Sequence, residues 1–176
     1  MNFIEIAERR YSCRKYDPTR EIEQEKIDSI IKAARLAPSA CNGQPYHITV
    51  CKGEIAKKIE KAIAGMGMNE FVVNAPVVIM ISEGEYVPLS AQGVALFDND
   101  YRSIDIGILS AYITAEAAVQ GLETCILGWF ECDKISEIYG ADTRTRLAIT
   151  LGYPVHEYEP RPKRRKAIDD FVTIIE

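Results

Sequence analysis

Residues 103–120 constrain this chain more than any other segment. Ile104, Ile108, Tyr112, Ala115, Ala118 and Val119 recur at three- and four-residue spacing, and Ile106, Leu109, Ile113 and Ala117 fill a further face. The pattern predicts the longest helix of the chain, starting at Ser103 or Asp105, running to about Gln120 and stopped by Gly121. A helix apolar over so much of its circumference must be covered on several sides. In a chain of 176 residues that means a core helix that also meets a second subunit. The length suits one domain of about 100–200 residues.

The rest of the chain alternates helical and extended signals. Asn2 followed by Glu5 resembles a capping box, so Phe3–Glu8 opens as a short helix and Arg9–Tyr16 follows as an extended arm ended by Asp17-Pro18. Glu23–Ala37 reads as a helix on the spacing of Ile27, Ile30, Ile31, Ala34 and Leu36. His47–Cys51 is a strand, Glu54–Ala64 a helix, and Pro76–Ser82 a buried strand, together suggesting an α/β unit. Gly84–Arg102, with Pro88, Gly93 and Asp98-Asn99-Asp100, reads as irregular: an active-site lid or an ordinary connector. Thr124–Trp129 is a strand, Asp133–Tyr139 a capped helix and Arg146–Tyr153 a strand. The tail from Pro160 is basic and then apolar through Phe171, Val172, Ile174 and Ile175, a pattern that makes sense docked on a partner chain.

Charge is unevenly spread. The chain carries −5 overall, yet Arg9, Arg10, Arg14 and Lys15 cluster near one end, and Arg161, Lys163, Arg164, Arg165 and Lys166 near the other. Neither stretch contains a carboxylate, which suggests a local anion site rather than a global field. Nucleic-acid binding is not expected. Without the five positives of the tail the rest of the chain stands at −10, and the tail shows no aromatic interleaving. The longest apolar run, Ala75 to Ile81, is far too short to span a membrane, and Met1–Tyr11 lacks the apolar stretch of a secretory signal. These features read as a cytoplasmic protein. Five cysteines without a C-x-x-C pair, and only His47 and His156, give no metal-ligand spacing.

G-x-G-x-x-G, G-x-x-x-x-G-K-[ST], G-x-S-x-G and H-E-x-x-H are all absent. What remains is Arg10-x-Ser12-x-Arg14, where alternate residues of an extended arm point to one side and offer two guanidinium groups flanking a hydroxyl. Such a face fits a phosphate or a carbonyl-rich heterocycle. Taken alone, the stretch reads more simply as exposed basic surface.

The order of motifs is more specific than any one of them. Arg10-Tyr11-Ser12-Cys13-Arg14-Lys15-Tyr16-Asp17, then Ala37-Pro38-Ser39-Ala40-Cys41-Asn42-Gly43-Gln44-Pro45-Tyr46 one helix later, resembles the opening of the nitroreductase family of FMN-dependent oxidoreductases. The resemblance continues through Asn74-Ala75-Pro76-Val77-Val78-Ile79, Gln120-Gly121-Leu122-Glu123-Thr124 and Leu127-Gly128-Trp129-Phe130. It closes with Ile149-Thr150-Leu151-Gly152-Tyr153-Pro154 and Lys163-Arg164-Arg165-Lys166, so it covers nearly the whole chain.

The resemblance implies a single α+β domain over 1–176, with a central, mostly antiparallel sheet flanked by helices. It also implies an intertwined homodimer with two FMN sites at its interface, and a carboxyl-terminal arm of about 160–176 on the partner subunit. Arg10 and Ser12 would meet the phosphate and ribityl end of FMN, and Arg14 the flavin pyrimidine. Pro38, Ser39 and Ala40, with Asn42 and Gln44 as further members, would reach the flavin of the opposite subunit. Asn69 would read the pyrimidine edge, the backbone at Gly128 and Trp129 would offer an N–H to flavin N5, and Lys163 and Arg165 would return to the phosphate. The implied activity is hydride transfer from NADH or NADPH, through flavin N5, to nitroaromatics, quinones or similar electron-poor acceptors in a ping-pong cycle. Arg14 would support the negative charge of the reduced ring. No side-chain nucleophile is required.

The competing class is a non-catalytic flavin- or anion-binding protein whose basic tail engages nucleic acid or an acidic partner. A dehalogenase-like flavin enzyme is a third reading, and no distinctive lid sequence supports it. Cys13 and Cys41 read as buried small hydrophobes, His47 as a strand-start residue, and Arg9, Lys15, Arg161, Arg164 and Lys166 as solvated bystanders. Trp129 reads equally as a flavin neighbour and as a core or interface residue.

Overall fold

The computed structural model describes residues 2–175. Helix α1 spans Phe3–Arg9, and its start is the expected capping box: Glu5 N–H donates to Asn2 Oδ1 at 3.0 Å and Asn2 N–H to a Glu5 carboxylate oxygen at 2.9 Å. Helix α2 spans Gln24–Ala34, shorter than the predicted segment. Its final turn loosens ahead of Pro38, and Leu36, expected on the apolar face, stands exposed. Strand β1 (Tyr46–Lys52) passes directly into α3 (Gly53–Ala64), because Gly53 at φ +58° makes the turn. Strand β2 covers Val77–Glu83.

Residues 84–102 differ from the irregular segment expected. They contain a ten-residue helix, α4 (Pro88–Phe97). Pro88 contributes to the irregular reading of the segment, but at the first helical position its fixed φ and missing N–H suit a helix start. The interior Gly93 has a packing reason. A Cβ there would sit 3.0 Å from the Tyr101 ring.

Helix α5 (Tyr101–Val119) is the long helix expected, capped by Asp100, whose carboxylate accepts the Ser103 N–H at 3.1 Å, and ended near Gly121 at φ +78°. Strand β3 (Glu123–Leu127), helix α6 (Cys132–Tyr139) and strand β4 (Thr145–Gly152) complete the element order. Helix α6 is capped only at its end, by Gly140 in the left-handed region; no side chain caps its start.

The sheet runs β1-β2-β4-β3 with every pairing antiparallel. The α/β unit suggested for residues 47–82 is therefore not a parallel crossover. Lys52 pairs with Val77, so the chain leaves along α3 and returns through residues 65–76 to the end of the strand it left. Strand β2 reads as a continuous apolar run because both faces are covered. Val77, Ile79 and Ile81 join Ile27, Ile30, Leu109 and Ile113 beneath α2 and α5. Val78 and Met80 join Ile59, Ile63 and Ile135 beneath α3 and α6. Burying each such aliphatic chain contributes about 1.5–3 kcal/mol.

Helix α5 buries Ile106, Leu109, Ile113 and Ala117, but leaves Ile104 at 49%, Tyr112 at 39% and Val119 at 42% exposure along one outer stripe. Ile168, Phe171, Ile174 and Ile175 of the tail are also open to solvent in the single chain.

Candidate functional site

The extended arm owes its shape to the outer edge of β3. Ser12 bridges Thr124, Cys13 N–H donates to the Thr124 carbonyl at 2.9 Å, and Asp17 N–H donates to the Tyr153 carbonyl at 2.9 Å. The expected alternation follows. Cys13 is fully buried and Lys15 exposed, while Arg10, Ser12 and Arg14 are half-buried. These three share a side: burial pushes the Cys125 thiol up, and the Arg14 charge, the Ser12 hydroxyl and the Arg10 charge pull it back down. Cys41, expected to be buried, is exposed at φ +52°. Its place in the loop dictates backbone shape rather than packing.

At one end of the arm the two basic islands meet. The Lys163 ammonium donates to the carbonyl of Ala7 at 2.7 Å and to that of Glu8, at the last turn of α1. Partial burial lowers the affinity of Lys163 for its proton, and the Arg10 and Arg165 charges lower it further, while Glu8 and Glu123 oppose them. Positive charge this concentrated is relieved by a bound anion. Glu123, the first residue of β3, lies buried among the same cations at 6% exposure. Burial raises its carboxyl to about 7 against the pull of Arg9, Arg10 and Lys163. Sequence reasoning missed Glu123; a lone acid ending Gln120-Gly121-Leu122 was the available signal.

The other end of the arm carries a polar and aromatic group. Arg14 donates through Nη1 to the Ser12 carbonyl at 3.0 Å, and its guanidinium lies 5.3 Å from the centre of the Phe71 ring. Phe71 belongs to a single 3-10 turn over Glu70–Val72 whose preceding residue is Asn69. Asn69 is buried and donates its side-chain amide to the Trp129 carbonyl at 3.0 Å. Strand β3 stops at Leu127, earlier than predicted, so Gly128 and Trp129 stand beyond it, both exposed. The structure thus joins Arg14, Asn69 and Trp129 in one neighbourhood through Phe71, another residue that sequence reasoning missed.

The loop holding Pro38, Ser39, Ala40, Asn42 and Gln44 takes its partners elsewhere; no hydrogen bond among the described residues joins it to the arm. Instead, buried Asp105 on α5 accepts the Ala40 N–H at 3.0 Å, and Ser90 on α4 donates to the Ala40 carbonyl at 3.2 Å. Gln44 N–H donates to Ser39 Oγ at 3.0 Å, and Cys41, Asn42 and Gln44 all adopt positive φ. Such backbone persists only where its surroundings over-determine it. A cavity of about 740 Å³ flanked by α3 and residues 73–77 includes none of the arm, loop or tail residues.

The family model for the nitroreductase family matches residues 7–69 and 65–153, well over half of the chain. The chain belongs to the nitroreductase family. Among curated relatives of this nitroreductase, the oxygen-insensitive NADPH nitroreductase of Helicobacter acinonychis is 24% identical over 196 residues, covering 92% of either chain. A nitroreductase family protein from Streptococcus pneumoniae has the same fold, with a TM-score of 0.82 at 22% identity over 99% of this chain and 100% of its own. An Exiguobacterium sibiricum protein solved in complex with FMN gives 0.80 at 24% identity, over 99% and 98% of the two chains. The α+β nitroreductase fold, with its antiparallel sheet between helices, is as expected. No helix among the described residues is long and apolar enough to cross a membrane, and no group of acids, cysteines and histidines could hold a metal.

Proposed function

We propose that this nitroreductase is an FMN-dependent oxidoreductase that takes hydride from NADH or NADPH and passes it to a nitroaromatic, quinone or similar electron-poor acceptor. The observation that carries the reading is the meeting of Arg10, Lys163 and Arg165 at one end of an edge-bound arm whose other end brings Arg14 to Asn69 and Trp129. A dianion at one end and a polar heterocycle at the other is the shape of FMN. Family membership, the NADPH nitroreductase name of the Helicobacter relative and the FMN complex of the Exiguobacterium protein support it.

When bound, FMN supplies a two-electron carrier that the side chains of this protein lack. Arg10, Lys163 and Arg165, with Ser12, would hold its phosphate end by charge-assisted hydrogen bonds. Arg14 would provide a fixed positive charge at the pyrimidine end of the site, which favours an electron-rich ring there. Asn69 reads the pyrimidine edge and also pins the Trp129 carbonyl, fixing the peptide chain from Gly128 onward.

The protein works as a homodimer of single-domain chains. Pro38, Ser39, Ala40, Asn42 and Gln44 serve the partner's flavin, and the anchoring of Ala40 to Asp105 and Ser90, with no hydrogen bond to the arm among the described residues, agrees with such a division of labour. The exposed stripe of α5 and the apolar end of the arm of about 160–176 cover the partner. A tail whose Lys163 is engaged by α1 is poorly placed to act as a free nucleic-acid arm. The purified protein is expected to be yellow and to release FMN on denaturation. A colourless protein that fails to take up FMN sinks the proposal.

A further inference from the structure

Four cations gather at the phosphate end of the site: Arg9 and Arg10 from the end of α1, and Lys163 and Arg165 from the tail. Neither basic stretch carries a carboxylate of its own. A cluster of like charges resists assembly unless an opposite charge lies inside it. Two opposite charges reach it, Glu8 on exposed α1 surface and Glu123 on β3, and of the two only Glu123 is buried inside the cluster. It is held on β3 opposite Gly152, which brings no charge, and beside the Ser12–Thr124 bridge that seats the arm. Arg9 Nη2 lies 3.9 Å from the Cβ position of Gly121, two residues before Glu123. The groups that interact electrostatically with the carboxylate are Arg9 and Arg10 from α1 and its cap, Tyr11, Cys13 and Tyr16 from the arm, and Lys163 from the tail, and Glu8 of α1 acts on the same Lys163.

We propose that Glu123 is the resident counter-charge of the phosphate cradle, and that it surrenders its negative charge by taking a proton from solvent when the cofactor phosphate binds. This rests on the FMN reading above and deepens it. In the empty cradle the carboxylate balances the cations. A phosphate carrying nearly two negative charges takes over that balance, and a buried carboxylate beside it is then disfavoured. The step forms one O–H bond on the carboxyl group, consumes one solvent proton and moves no electrons. With its carboxyl titrating at about 7, Glu123 is partly ionised in the empty cradle at neutral pH. Cofactor affinity is accordingly linked to proton uptake and weakens as pH rises above 7.

The test is dissociation of FMN from the diluted holoprotein, read by free-flavin fluorescence at pH 6 and pH 8, for wild type and Glu123→Gln. An acid titrating at about 7 is roughly ten parts ionised to one at pH 8. The variant, neutral throughout, should therefore hold FMN about tenfold more tightly than wild type at pH 8 and about equally at pH 6. Ionisation of the phosphate itself, near pH 6, affects both proteins alike, so the difference isolates Glu123. The full chain reconstituted with riboflavin, which has no phosphate, should show no such difference. Equal pH dependence in the two proteins, or the same difference with riboflavin, overturns the proposal. If Glu123→Gln does not fold, the wild type decides: FMN must loosen above pH 7 and riboflavin must not, and parallel slopes refute it. If neither flavin binds at either pH, the FMN reading falls first and takes this one with it.

Discussion

The Lys163 ammonium donates a hydrogen bond at 2.7 Å to the carbonyl of Ala7, tying the tail to the last turn of the first helix. The contact orients Lys163 beside Arg10 without neutralising it, since a carbonyl carries only partial charge at a helix end. Replacing Lys163 and Arg165 together by Ala should therefore weaken FMN binding without unfolding the protein. Charge-assisted hydrogen bonds contribute about 1.5–3 kcal/mol each, so the loss should be on the order of a hundredfold or more. Fluorescence titration of FMN measures it; an unchanged affinity would place the phosphate elsewhere.

Asn69 holds the Trp129 carbonyl from a position that is 8% exposed. Asn69→Ala leaves that carbonyl without its partner and frees the chain beyond β3. Stability should fall by about 1 kcal/mol. Anaerobic bleaching of the bound flavin by NADH or NADPH should slow about tenfold while flavin content is largely kept. Bleaching at the wild-type rate would separate this hydrogen bond from hydride transfer.

Glu60 has a carboxyl raised from 4.5 to about 7, chiefly by burial. One oxygen accepts the Asn74 N–H at 3.3 Å, and the other is buried without a partner. The folded chain holds the proton up to about pH 7, whereas the unfolded chain releases it at about 4.5, so this group destabilises the fold as pH rises between those values and by a constant amount above them. Glu60→Gln should relieve about 2–3 kcal/mol at pH 8 and almost nothing at pH 4. Glu123 adds a drift of the same sign to wild type. Thermal melts of variant and wild type at the two pH values give the comparison, and an equal gain at both would remove Glu60 as the titrating group.

Ile104 and Tyr112 stand exposed on the outer stripe of α5. Changing both to Glu should leave the single-chain fold intact and prevent assembly, because two charges cannot be desolvated in an apolar interface without partners. Sedimentation should then report a monomer, and flavin should be lost with the dimer if each site draws on both chains. A dimer that survives the double change would mean that another surface joins the subunits.

Much of the fold is legible in the sequence. The core helix, the capping box, the arm and the four strands follow from side-chain periodicity and local cap chemistry, which act over a few residues. Helix α4 was not legible, because Pro88 and Gly93 are breakers in a helix interior and acceptable only at a first position and against a packed Tyr101 ring. Leu36 followed the helical period but falls in the turn ahead of Pro38. For the site, motif order pointed to Arg10, Ser12, Arg14, Asn69, Lys163 and Arg165, yet not to Glu123, Phe71, Asp105 or Ser90. Each of those four acts on a group distant in sequence, and nothing local marks it.

By itself the sequence determined that two basic islands exist, that neither holds its own counter-charge, and that one helix carries more apolar surface than one chain can cover. Only the tertiary structure decided that the islands meet, that β3 supplies a buried carboxylate as Glu123, and that the loop of Ser39 and Ala40 is anchored on α5 and α4. The physical reason is range. Periodicity and capping are settled within a turn or two of chain, whereas charge and burial depend on distances that exist only once the sheet has paired.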